Sequence, residues 1–244
     1  MNKLRFTALI CSATAIFFTS CGSNEQKNNA NNSPADSTTH INNASTTSTV
    51  VTSPQDIMTA THRVADFAKW KASYDAHDSM RLASGLHNYV IGRSIEDSNM
   101  ILVAVKADDI NKAKAFAKDP GLKQAMQKGG VVGTPSFSFI RLVYQDTATI
   151  GTTIRSRTTF TVKDFENWRK VFESHRQTRT DNGLTDRAYG HDVDDDHNVF
   201  LVVAVNDTAK ANAFWKSDLL KQQRRESGAT SEPQRFLFRI VQRY

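Results

Sequence analysis

Val64-Ala-Asp-Phe-Ala-Lys-Trp70 and Val162-Lys-Asp-Phe-Glu-Asn-Trp168 are one motif written twice, 98 residues apart. Carried outward at that spacing without gaps, Val64–Val143 lies over Val162–Val241 with 24 identities in 80 columns, where unrelated stretches would share about five. His77, Arg81, Gly85 and Leu86 lie over His175, Arg179, Gly183 and Leu184, and Ala115-Phe116 over Ala213-Phe214. Leu122-Lys123-Gln124 lies over Leu220-Lys221-Gln222, Pro135 over Pro233 and Arg141 over Arg239. A duplication of this length means two copies of one folded unit, spanning 56–145 and 154–244.

Each copy reads as β-α-β-β-α-β. A strand over 57–64 is followed by Asp66, a natural N-cap, and a helix to Ser84 that Gly85 stops. Leu86–Ile95 and Met100–Val105 are strands around the turn Glu96-Asp97-Ser98-Asn99. Asp109 to about Lys118 is helical, Asp119-Pro120 interrupts it, and a short helix runs on to Lys128. After Gly129-Gly130 and Pro135, Ser136–Tyr144 closes the unit; in the second copy Arg235–Tyr244 does so. The strands Met100-Ile-Leu-Val-Ala-Val105 and Val199-Phe-Leu-Val-Val-Ala-Val205 are apolar on both faces, whereas a half-exposed antiparallel strand alternates. Two helices cover one face of a four-stranded sheet, so the other face needs a partner, and the sheet of the second copy is at hand. A unit of about 80 residues is also marginal alone, burying only about 60% of its unfolded surface.

The β-α-β-β-α-β order, the Asp-Phe-x-x-Trp helix opening and the Lys-x-x-x-Leu-Lys second helix resemble the dimeric α/β-barrel superfamily. Its ferredoxin-like subunits pair their sheets face to face, and it includes antibiotic-biosynthesis-monooxygenase-like proteins. Over about residues 57–244 the resemblance implies an α+β chain of two tandem ferredoxin-like modules, with antiparallel sheets packed face to face as an intrachain pseudo-dimer. It does not select an activity, since the superfamily mixes oxygenases, isomerases, haem enzymes and proteins of unknown role.

The N-terminus reads as an address. Lys3 and Arg5 precede the mostly apolar run Phe6 to Thr19, the pattern of a signal peptide over 1–20. Phe18-Thr19-Ser20-Cys21-Gly22 resembles the lipobox of bacterial lipoproteins, with Phe18 in place of the usual Leu; the resemblance implies lipidation of Cys21 and anchoring in the cell envelope, with Gly22 compatible with the outer membrane. Residues 21–55, dense in Asn, Ser and Thr, are too polar to offset the entropy of ordering and read as a disordered tether. With Cys11 and Cys21 the only cysteines, the modules hold neither a disulfide framework nor a cysteine metal site. The net charge of +6 is spread among acids along the helices rather than clustered, which argues against a nucleic-acid partner.

Candidate chemistry sits on the first helix of each copy. Phe67, Trp70, Tyr74, His77 and Arg81 fall within an arc of about 80° at the helical 100° per residue, and Phe165, Trp168, Phe172, His175 and Arg179 repeat them. Either the arc lines a ligand pocket, with Trp70, Tyr74, Trp168 and Phe172 as walls, histidine as acid, base or haem-iron ligand and arginine as anion clamp, or it is core, with His and Arg capping its edge. Strand parity sends Thr59, Thr61 and Arg63, with Arg157, Thr159 and Thr161, to the face away from the helices, where Arg141 and Arg239 could join them. That face is either a polar lumen attractive to an acidic small molecule or surface at a sheet end. His191-Asp-Val-Asp-Asp-Asp-His197 lacks the Gly and Glu of a calcium loop and reads as a hydrated hairpin turn, not a metal site. No phosphate loop, nucleophile elbow, His-Glu-x-x-His or Gly-x-x-Asp-Gly peroxidase signature is present. The expectation is an envelope-anchored lipoprotein without a required cofactor that binds a small hydrophobic or acidic ligand or a protein partner. The alternative is a cofactor-independent or haem-dependent oxygenase.

Overall fold

A computed structural model describes residues 48–244; the signal peptide, Cys21 and the tether up to residue 47 lie outside the described residues. The first module comprises β2 (Gln55–Val64), α1 (Phe67–Ala76), α2 (Asp78–Ala83), β3 (Leu86–Ser94), β4 (Met100–Ala107), α3 (Ile110–Ala117), α4 (Pro120–Lys128) and β5 (Val131–Asp146). The second repeats it as β6 (Ile154–Thr161), α5 (Phe165–Ser174), α6 (Arg176–Asp181), β7 (Leu184–Asp192), β8 (Asn198–Val205), α7 (Thr208–Lys216), α8 (Asp218–Glu226) and β9 (Gln234–Arg243). Side-chain caps start the helices where the sequence places them: Asp66 accepts from the Lys69 amide at 2.7 Å, and Asp164 from the Asn167 amide at 2.6 Å. Gly85 and Gly183 turn the chain at φ of +67° and +72°, a region in which only glycine is free of strain.

Three local features differ from the expectation. The first helix is broken at His77, and its copy at His175. In each, the ring Nδ1 takes the carbonyl four residues back (Ser73, 2.6 Å; Val171, 2.9 Å). The His77 amide, displaced from that acceptor, turns to Tyr74 at 3.3 Å. The closing strand β5 begins at Val131 rather than Ser136, because Val131 and Val132 pair with Val64 and Arg63 while a bulge absorbs the residues around Pro135. The end of the tether is ordered as well: Val50 and Val51 form a short β1 (Val50–Val51) on Asp146 and Gln145, where β-branched side chains favour pairing.

The two sheets face each other across one shared core, and their edges join. Within each module the strands run β5-β2-β4-β3 and β9-β6-β8-β7; β3 pairs with β9 and β5 with β7, closing eight strands into a ring. The junctions are related by the repeat: Val90 opposite Arg243 at one seam becomes Ala188 opposite Gln145 at the other. Inside the ring Ile57, Val90, Ala104, Ile140, Leu142, Ala188 and Phe200, drawn from both modules, form one buried cluster. The apolar second face of each sheet is thus buried by its copy, and closure removes the exposed edges that a lone four-stranded sheet would carry. Gly190 and Gly92 occupy equivalent seam positions. At Gly190 a Cβ would overlap the Arg141 carbonyl, and at Gly92 the Phe238 ring.

Candidate functional site

Each module has a cleft between its helices and the outer face of its sheet. The first, of about 70 Å³, is walled by Met58, Trp70, Tyr74, Val103, Phe116 and Met126; the second measures about 90 Å³. Trp70 and Tyr74, and Trp168 and Phe172, face these clefts as their spacing predicts, while Phe67 packs under Arg93 and Phe165 against His191. Trp70 and Trp168 are each 3% exposed; Trp70 stacks on Tyr74 with centroids 5.3 Å apart, and Trp168 on Phe172 at 4.9 Å.

The arginines of the arc are buried and occupied. Arg81 donates to Asn88 Oδ1 (2.9 Å), the Tyr74 carbonyl (2.8 Å) and Asp78 Oδ1 (3.1 Å), and its guanidinium lies 3.7 Å from the Tyr74 ring centroid. Arg179 grips Asp186 through two 2.7 Å bonds, donates to the Phe172 carbonyl at 2.6 Å and stacks on Phe172 at 3.5 Å. Both tie the broken helix to the neighbouring strand, which leaves neither with the free fork an anion clamp requires. Burial holds Tyr74 as a neutral phenol, its pKa pushed well up, and its hydroxyl donates to Asn88 Oδ1 at 2.5 Å. His77 and His175 line the clefts. With Nδ1 held by a backbone carbonyl, Nε2 is the nitrogen left for a ligand.

A further histidine, His62 on β2, lies in the first cleft. It is 3% exposed, both ring nitrogens are buried without a hydrogen-bond partner, and burial lowers its pKa to about 4, so it stands neutral. The parity that turns Val64 toward the helices turns His62 there too, and that was the signal by which the sequence could have shown it. The second module has Phe160 at the equivalent position. The clefts diverge elsewhere as well: Ala125, Met126 and Phe137 of the first correspond to Gln223, Arg224 and Arg235 of the second. The first cleft is mainly apolar with His62 and His77 on its walls, while the second adds Gln223, Arg224 and Arg235 to an otherwise mainly apolar lining.

On the inner face, strand parity places Thr59 and Arg157 in the lumen as expected, and Arg157 donates to Thr61 across the barrel at 3.2 Å. Thr61 and Thr159 line the opening beside it, together with Thr161. Arg63 is exposed and paired with Asp97. Arg141 and Arg239 do not join the lumen. Ile140, Leu142, Phe238 and Ile240 take the inward positions of β5 and β9, so the intervening arginines point outward. There Arg141 pairs with Asp56 at 3.0 Å and Arg239 donates to Thr153 at 3.3 Å. The stretch from His191 to His197 spans the end of β7 and the turn to β8. Asp194 there binds Lys114 at 2.5 Å, and the exposed Asp195, Asp196 and His197 bring their ligand atoms within 4.8 Å of one another.

No protein-family model matches the chain, and no curated protein matches it in sequence. Solved structures match it in fold. A candidate monooxygenase from Fusobacterium nucleatum superposes with a TM-score of 0.52 at 11% identity, over 78% of this chain and 93% of its own. An anthrone oxidase-like protein gives 0.52 at 9%, over 79% and 94%. The chain has the dimeric α/β-barrel fold. Among other structures similar to this α/β barrel is a haem-binding protein from Thermus thermophilus, at a TM-score of 0.46 and 10% identity, over 79% and 93%. Haem is the cofactor the resemblance raises, and His77 and His175 are the cleft residues that would face it. Pockets that enclose drug-sized ligands run to roughly 300–1,000 Å³, several times the 70 and 90 Å³ found here. His77 and His175 offer Nε2 there, beside the packed aromatic rings.

Proposed function

We propose that the protein is an envelope-tethered binding protein whose first module takes up a small, mainly apolar molecule bearing one hydrogen-bonding group. The observation that carries this reading is His62: a neutral imidazole in an apolar cleft with no partner for either nitrogen. Leaving a buried polar group unsatisfied costs about 1–3 kcal/mol, and a ligand hydroxyl or carbonyl would supply what the protein withholds. Trp70 and Tyr74 provide aromatic walls for the apolar body. Anchoring rests on the sequence alone, through Cys21 and the polar tether behind it.

An oxygenase needing no cofactor would use His77 or His175 in these clefts, or His62, as the proton-abstracting base. For His62, a pKa of about 4 favours the binding role, because a general base works best when its pKa lies near the operating pH. A thermal-shift titration with phenol and toluene tests the proposal. Phenol should raise the melting temperature more than toluene, and His62→Phe should abolish that preference. Equal shifts from both compounds, or a preference that survives the substitution, would refute it.

A further inference from the structure

Four arginines converge on the barrel lumen: Arg155, Arg157, Arg187 and Arg243. All four come from the second module. At the equivalent positions, 98 residues earlier, the first module has Ile57, Thr59, Tyr89 and Gln145. Duplication began with identical walls, so the second module's wall has become cationic, while the first module's wall carries one charged group, Asp146. Arg155 and Arg187 are 4% and 5% exposed, and arginine is seldom so buried without a counter-charge.

The counter-charge present is insufficient. Asp146 pairs with Arg187 at 2.8 Å. Arg155 reaches only the carbonyls of Thr152 and Ile154, both at 2.9 Å. Arg157 bonds Thr61 and keeps a buried Nε without a partner. Among the described residues, no carboxylate lies within ion-pair distance of Arg155, Arg157 or Arg243. The mutual repulsion shows at Arg155, whose pKa falls to about 10 through burial and the nearby Arg187 and Arg243. Arg243 is exposed at the mouth, near Tyr89. Apart from Thr59 and Tyr89, the remaining lining is apolar and includes Leu102, Phe200, Val202 and Phe238.

We infer that the lumen is a second binding site, separate from the His62 cleft, for a short-chain organic carboxylate. Its charged end is held among Arg155, Arg187 and Arg243, and its apolar body lies along Leu102, Phe200 and Phe238. A guanidinium cluster recognises a carboxylate through charge-assisted hydrogen bonds. The mainly apolar lining beyond the arginines favours an anion with one charged end and an apolar body over an inorganic oxyanion. The lumen holds about 70 Å³, a space for a short chain rather than a long one.

Calorimetric titration of the purified protein with butanoate tests the inference, with 1-butanol and sulfate as controls. Butanoate should bind saturably with a dissociation constant of order 1 mM or tighter, as its few heavy atoms allow. 1-Butanol should not bind, and sulfate should not displace butanoate. Arg155→Gln and Arg243→Gln should each weaken binding by about tenfold, the latter at an exposed position where folding is not at stake. His62→Phe should leave butanoate binding unchanged, which separates failure here from failure of the cleft proposal. Absence of saturation up to about 10 mM, equal binding of 1-butanol, displacement by sulfate, or affinity indifferent to Arg243→Gln would each overturn it.

Discussion

His62 packs its imidazole against the indole of Trp70 with ring centroids 5.4 Å apart, and Phe160 packs against Trp168 at 5.7 Å in the second module. One geometric slot thus holds a polar ring in one repeat and an apolar ring in the other. The duplicated architecture supplies an internal control for each substitution below.

His62→Phe should stabilise the ligand-free protein, because it removes two unpartnered nitrogens and installs the ring that the second module already accommodates. The gain should be about 1–3 kcal/mol, read from urea denaturation at pH 7. A loss of stability would mean that the imidazole is satisfied in solution.

The same histidine sets a pH dependence. Its folded pKa, about 4, lies below the ordinary value of 6.5, so the unfolded chain binds the proton first as pH falls. The contribution is complete above pH 6.5 and is lost as pH drops from about 6.5 to about 4. At 1.36 kcal/mol per unit it amounts to about 3 kcal/mol. Denaturation midpoints across that window should fall more steeply for the parent than for His62→Phe.

Arg179 and Arg81 occupy equivalent places, but Arg179 faces Asp186 and Arg81 faces Asn88. Arg179→Met strands a buried carboxylate, with Arg176 3.6 Å away as its remaining cation. It should cost about 3–5 kcal/mol. Arg81→Met leaves a neutral amide at Asn88 and, at Asp78, a carboxylate that is 45% exposed to water, and should cost about 1–3 kcal/mol. Matched unfolding curves would show the ordering, and equal costs would contradict it.

Much of this was legible in the chain. The repeat, the capping aspartates and the two-faced apolar strands follow from local periodicity, and they suffice to pair one sheet with the other. The break at His77 was hidden because a ring competing for the Ser73 carbonyl leaves no trace in spacing. The outward aim of Arg141 and Arg239 was not readable, since the parity of β5 depends on pairing with β2 nearly a module away in sequence. The lumen arginines were obscured for a related reason: Arg187 and Arg243 reach the interior only through register shifts near the seams. His62 was within reach, one step of strand alternation from Val64.

Gly190→Ala should destabilise the barrel by about 3 kcal/mol, near the upper end of overpacking costs, because the obstacle at its seam is the Arg141 backbone. Gly92→Ala meets the Phe238 side chain, which can rotate, and should cost less. Thermal melts of the two variants would rank them.

Closure of eight strands drawn from both repeats into one ring underlies every site described, and amide hydrogen exchange reads it directly. Backbone amides that bond across the β3–β9 and β5–β7 seams, such as Ile95 to the Leu237 carbonyl and Val193 to the Phe139 carbonyl, should be protected to the same order as those between β2 and β4. Exchange at the seams as fast as at an open sheet edge, with the module interiors still protected, would contradict it.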